Sequence, residues 1–439
     1  MPSYTAQSSS ATAVAKRDLA TLLDAARPFL RGELESVDPA LPSLLAVLRS
    51  VGAGECWHKH STFLAHLTDV YRALKIWCAP DPVARCGLFH SAYSNSYVNL
   101  AIFDPNTGRD EVRSLIGAPA ERLVHLFCIV PRQLLIHDRL LFHYSDAELA
   151  DHLLLADESL RRAREEGAFD SAEPWRAKLR ALLPAEGIRT EHIKTGDAVP
   201  LSRRVAAAFL LMTMVDFADQ LFDFQDKLFD NDDGRLTFRG NSRTALWPGE
   251  GKPGLWLNSI SRMGVLYSLI VREEEIYAEE RKRSSAASAS ASASASSQSG
   301  AERDEDLELI TPPVFDNCTR ILDAKDQAEA RDLYWEAVCS SDKEQQRAAK
   351  LLAESCEKNP FVGEPHLVLA QVYLAMARFE EAEREAEKGL KLLLEWGSSW
   401  DKRMSWEGWV AWGRVLLMKA KEKTWPETSW GILNLGLVD

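Results

Sequence analysis

The sequence lacks any apolar run near the roughly 18 residues needed to cross a bilayer. Its best candidate, 205–215, is short, contains Thr213 and reads as a buried helix. It also lacks an excess of basic charge: 52 lysines and arginines face 65 acidic residues, a formal net charge of -13. A surface of that average sign repels duplex DNA and anionic membranes, so neither nucleic acid nor a membrane is expected as a partner. CxxC pairs are missing, and the seven cysteines are scattered and odd in number, so the thiols are expected to be reduced. That points to the cytoplasm. Residues 1–15, rich in Ser, Thr and Ala without the apolar centre of a secretory signal, leave the nucleus or an organelle open. No P-loop, HExxH or GxSxG motif occurs, which removes the motif-based case for NTP hydrolysis, zincin proteolysis or a serine-hydrolase elbow.

Alternating apolar and polar stretches are scarce as well, whereas apolar residues recur every three or four positions over 18–31, 63–78, 110–130, 146–165 and 205–229. An all-α fold is therefore expected. A chain of 439 residues with 46% hydrophobic and 27% charged residues has material for two or three cores. Residues 230–253, with many Gly, Pro and polar residues, read as an exposed loop, and the acids at 230, 232 and 233 lack calcium-loop spacing. The clearest boundary is the Ser/Ala tract at 284–300, whose side chains bury too little to offset ordering entropy. The expected division is a tail over 1–15, a helical domain over 16–283, a linker over 284–306 and a helical array over 307–439.

In that last part Leu369, Ala370, Tyr373, Arg378, Phe379, Ala382 and Ala386 are spaced like two helices packing small residues against large ones, and the stretch resembles the tetratricopeptide repeat. A shift of 34 residues sets Trp335 opposite Leu369 and Ala348 opposite Ala382, giving units over about 327–360 and 361–394. A looser third unit starts near Trp406. The resemblance implies stacked helix pairs with a groove for a protein partner, and Tyr373, Trp409 and Trp412 are its candidate contacts. The alternative is that this Trp-rich end, holding seven of the thirteen tryptophans, docks on the N-terminal domain.

Seven of the ten histidines lie between 58 and 143. His60 with Ser61, His66 with Leu67, and the run Gly87, Leu88, Phe89, His90, Ser91 resemble the HD-domain superfamily of helical metal-dependent phosphohydrolases and related oxygenases. The likeness is to an uncharacterised HD-like branch of plants and bacteria, and it spans about 55–225. It implies a bundle in which His60 or His66, then His90, then Asp216 or Asp219 hold a divalent transition metal, Fe, Mn or Zn. Ser91 stands where the superfamily carries Asp, and a hydroxyl that stays protonated is a poor ligand, which argues against a two-metal site. Asp69, one helical turn after His66, is a further carboxylate. Lys59, Tyr93, Asn95 and Arg122 are the candidates for holding a small polar or phosphorylated ligand, with Arg122 first among nearby cations that include Arg109, Arg113, Arg132 and Arg139. Two functions follow: a metal-dependent hydrolase or oxygenase carrying a partner-binding array, or a non-catalytic adaptor whose HD-like fold has lost its metal.

Overall fold

Side-chain caps and glycines set the ends of the first helices. The carboxylate of Asp18 accepts the Thr21 N–H at 2.8 Å and starts α1 (Leu19–Arg31), which ends on Gly32 at a φ of 71°. After α2 (Leu41–Ser50), the Thr62 hydroxyl caps α3 (Phe63–Ile76), and Pro82 sits in the first turn of α4 (Asp81–Phe89). The single helix expected over 110–130 is two: α5 (Arg109–Ile116) and α6 (Ala118–Ile129). Gly117, at a φ of 88°, leaves the helical region, and Pro119 restarts the chain in a new direction. A Ser145–Glu148 capping box opens α7 (Asp146–Glu165), and α8 (Pro174–Leu182) follows.

The computed structural model describes residues 17–58, 61–95, 101–220, 229–230, 237–238, 251–288, 304–340, 344–428, 431–432 and 435. Among these the fold is all-α apart from short two-stranded antiparallel ladders, such as β1 (Trp57–His58) with β2 (Ser61–Thr62). No helix of the described residues is long and apolar enough to cross a membrane. Most of the expected 230–253 loop, with Asp232 and Asp233, lies outside them.

At the centre is α9 (Arg203–Gln220). From Val205 to Gln220 every residue is buried, and up to Val215 all but Thr213 are apolar, as expected of a helix enclosed on every side. Against it run α3, α4 and the long α10 (Leu257–Ser288). The chain returns after the Ser/Ala tract by lying back on this body: Arg204 donates to the carbonyls of Glu305 and Leu307, Arg281 pairs with Glu305, and the Tyr267 hydroxyl donates to the Ile310 carbonyl. The short α11 (Phe315–Cys318) puts Phe315 between Trp77 and Tyr267.

The remaining helices are α12 (Ala324–Val338), α13 (Gln345–Lys358), α14 (Glu364–Ala375), α15 (Phe379–Trp396) and α16 (Trp406–Glu422), each packed on the next. They share one continuous apolar core with the N-terminal helices. Trp77 Nε1 donates to the Trp396 carbonyl at 3.0 Å, and Trp400 Nε1 to that of Gly254 at 3.2 Å. The Trp-rich end therefore docks on the first domain. Trp409 is 4% exposed, with its indole N–H on the Asp401 carbonyl, and what remains of its surface lines the same groove as Trp412. Tyr373 lies under the Arg378 guanidinium, and Trp412 borders a groove of about 910 Å³ together with Gln371 and Trp425.

Candidate metal centre

Three helices aim one ligand each at the same point. The Thr62 cap fixes the start of α3, so His66 falls on its second turn facing α9. His90 closes α4. Its approach depends on Gly87, since a Cβ there would stand 2.3 Å from Leu74 Cδ1 and 3.2 Å from Val70 Cγ1 on α3. Asp216 and Asp219 lie three residues apart on α9 and so on one face. His66 Nε2 is 3.4 Å from His90 Nε2 and 3.3 Å from Asp216 Oδ1, and His90 Nε2 is 3.9 Å from that same oxygen. His66, His90 and Asp216 are 2%, 3% and 5% exposed, so the meeting point is buried.

The outer nitrogen of each ring is already committed. His66 Nδ1 is 2.6 Å from Asp219 Oδ2, and His90 Nδ1 is 2.7 Å from the Gly87 carbonyl. Both acceptors lack a proton to give, so each Nδ1 is the donor and each Nε2 turns inward. Burial pushes the His66 ring down, but Asp216 and Asp219 outweigh it and raise it to about 9. Burial lowers His90 to about 4 against the pull of Asp216, leaving a neutral ring with an Nε2 lone pair. Burial also works against the Asp216 charge, yet His66, His90 and Arg132 hold that carboxyl well below the usual range.

This donor set fits a metal. Two ligands about 2.1 Å from a tetrahedral ion stand about 3.4 Å apart, close to the separations seen. Asp216 Oδ1 is buried and accepts no hydrogen bond of ordinary geometry, although nearby His66, His90 and Arg132 balance the carboxylate's charge. His66, His90 and Asp216 can therefore hold a metal ion.

Of the two late aspartates left open by the sequence, Asp216 faces the inner nitrogens and Asp219 orients His66 from behind. Asp69 does not join them; its carboxylate takes Arg72 Nη1 at 2.6 Å. Ser91 is buried and accepts from Asn95 Nδ2 at 2.7 Å, and Asn95 Oδ1 takes Arg132 Nη2 at 3.2 Å. Tyr93 belongs to a separate network: its hydroxyl donates to Glu121, which Arg109 and Arg113 also bind, so it does not face the centre as expected. Arg122 pairs with Asp304 at 40% exposure, its charge spent on the returning segment instead of a ligand. The cation at the centre is Arg132, 2% exposed, with Nη1 3.8 Å from Asp216 Oδ2. It stood in the sequence only as one arginine among several. His60 and Lys59 lie outside the described residues. His58, unassigned in the sequence reading, has its ring 4.5 Å from that of His66 and its Nε2 3.2 Å from Gln220 Oε1. Only its place in the crowded run of histidines hinted at this.

Gly249, Gly251 and Gly254 have the spacing of a dinucleotide-binding loop. Such a loop needs a parallel strand before it, and the ladders among the described residues are all antiparallel.

Residues 47–132 match the family described as Domain of unknown function (DUF6817). The match takes in α3 and α4 with His66, His90 and Arg132, and stops short of α9. No curated protein and no solved structure matches the chain.

Proposed function

We propose that this chain is an HD-like metal-binding protein in which His66, His90 and Asp216 hold one divalent transition metal, Fe, Mn or Zn, to act on a small polar or phosphorylated ligand as a hydrolase or oxygenase. The observation that carries this reading is the inward turn of both Nε2 atoms onto a carboxylate oxygen with no other partner. A bound ion of this kind supplies Lewis acidity toward an oxygen of the ligand. The protein supplies the rest. Asp219 and the Gly87 carbonyl orient the two rings. Arg132, over the Phe127 ring at 4.0 Å, keeps a fixed positive charge beside Asp216, suited to an anionic group on the ligand. Ser91, tied to Asn95 and outside the donor group, supports a single ion instead of a pair. The tetratricopeptide-like array, with Trp412 at its groove, remains the place proposed for a protein partner.

A second reading has its own support. His66 held as an imidazolium between Asp216 and Asp219 is a complete charge network without any metal, which would suit a scaffold. Elemental analysis separates the two. Wild-type protein purified without added metal is expected to carry about one equivalent of transition metal, lost in His90→Ala. Absence of metal from both preparations would leave the scaffold.

A further inference from the structure

The segment between α15 and α16 lies against two of the three helices that carry the candidate ligands, α3 and α9. Gly397 sits so close to α3 that a Cβ there would stand 3.1 Å from Cα of Ala73 and 2.9 Å from Ile76 Cδ1. Its carbonyl accepts Arg72 Nε at 3.1 Å. One residue on, the Ser398 hydroxyl donates to the carbonyl of Ala218 on α9 at 3.2 Å. This double anchoring delivers Lys402. Its ammonium donates to Ser398 Oγ at 2.9 Å and lies 3.9 Å from Asp219 Oδ1, while Asp219 Oδ2 holds His66. The Lys402 and Asp219 side chains are 5% and 3% exposed. A charged row thus runs from the C-terminal array through Asp219 to the ring of His66.

Asp69 sharpens the need for that cation. It stands one turn beyond His66 on α3, half-buried, and its charge and that of Asp219 repel one another. Together with Arg72, Glu407 and Lys402 the two carboxylates line a polar cavity of 230 Å³. Burial pushes the Lys402 ammonium down, and the charges of Asp219 and Asp69 work to keep it protonated. Without the ammonium, Asp219 Oδ1 loses a contact that orients the carboxylate, and Oδ2 is free to turn away from His66 Nδ1.

We infer that Lys402 is a positioning residue of the metal centre, contributed by the C-terminal array, which fixes the oxygen that Asp219 presents to His66. The inference rests on the proposed reading of His66, His90 and Asp216 as ligands. It makes the array part of the centre.

Zn²⁺ affinity of the full chain, measured by competition with a chromophoric chelator, tests this in wild type, Lys402→Gln, Asp219→Asn and the double variant. Each single change is expected to weaken binding by about 10- to 100-fold, with Lys402→Arg recovering most of the loss. The double variant should be no worse than Asp219→Asn alone, because Lys402 acts through that carboxylate. Binding by Lys402→Gln within about twofold of wild type, or losses that multiply in the double variant, would overturn the inference. If Lys402→Gln does not fold, Ser398→Ala, which frees the ammonium while keeping its charge, enters the same cycle with the same two outcomes. If wild type takes up no Zn²⁺, the metal reading fails on its own. The inference is then decided by the Nδ1–H resonance of His66 in ¹⁵N-histidine-labelled protein, which should move in Lys402→Gln; an unmoved resonance sinks it.

Discussion

Gly87→Ala joins packing to the site in one substitution. The added methyl carbon would sit 2.3 Å from Leu74 Cδ1 and 3.2 Å from Val70 Cγ1, where ordinary carbon contacts are about 3.5–4.0 Å. Leu74 and Val70 are each 0% exposed, so neither side chain has open space to retreat into and α3 must move off α4. Overpacking of this kind costs about 1–3 kcal/mol, offset by up to about 1 kcal/mol because alanine is the better helix former. A net loss of about 1–2 kcal/mol is expected in urea unfolding. The same displacement separates His66 from His90, and sites of this type tolerate only about 0.5 Å of error. Zn²⁺ affinity should fall at least about tenfold. Gly54→Ala is the control, since its methyl would meet only Leu64 Cδ2 at an ordinary 3.7 Å. A Gly87→Ala protein as stable as wild type refutes the packing argument. One that is destabilised but binds Zn²⁺ as before refutes the link between helix spacing and the centre.

Other outcomes follow from the same contacts. Trp396→Ala removes an indole packed on Trp77 and Trp256 and should cost about 3–5 kcal/mol; near-ultraviolet and far-ultraviolet circular dichroism should still report one transition, and two separate ones would argue against a shared core. Burial raises the Glu364 carboxyl to about 7, above its unfolded value. The folded protein thus holds that proton more tightly, the stabilisation is complete below about pH 4.5, and it is lost as pH rises toward 7. Glu364→Gln should flatten this fall, gaining on wild type by up to about 1.4 kcal/mol per pH unit within that window; parallel stability profiles would contradict the assignment. Arg122→Ala should cost less than about 1 kcal/mol and leave Zn²⁺ affinity unchanged, whereas a large affinity loss would return Arg122 to the site.

The helical character was legible because apolar spacing recurs over long stretches, and 146–165 coincides with α7. The break at Gly117 was missed although Gly and Pro mark it, because the apolar period continues on both sides. Within the centre, the resemblance to the HD-domain superfamily nominated His60 or His66, His90 and two late acids. The roles of Asp216 and Asp219 could not be separated, since both lie on one face of α9 and only the placement of α3 decides which oxygen meets which nitrogen. Arg132 was hidden among similar arginines for the same reason. Lys402 was beyond reach. It approaches from 183 positions beyond Asp219, through a segment whose docking depends on tryptophans that read equally well as a binding surface.

The ion pair between Arg281 and Glu305 holds the two shoulders of the Ser/Ala tract side by side, while Phe315 and Trp396 are sunk among the helices that precede it. Cutting the backbone within that tract would therefore not release two independent molecules. The pieces would stay joined through their common interior, and either one made alone would present that interior to water. Proteolysis there should give a nicked protein that elutes as the intact one does, and separately expressed halves should need each other to stay in solution.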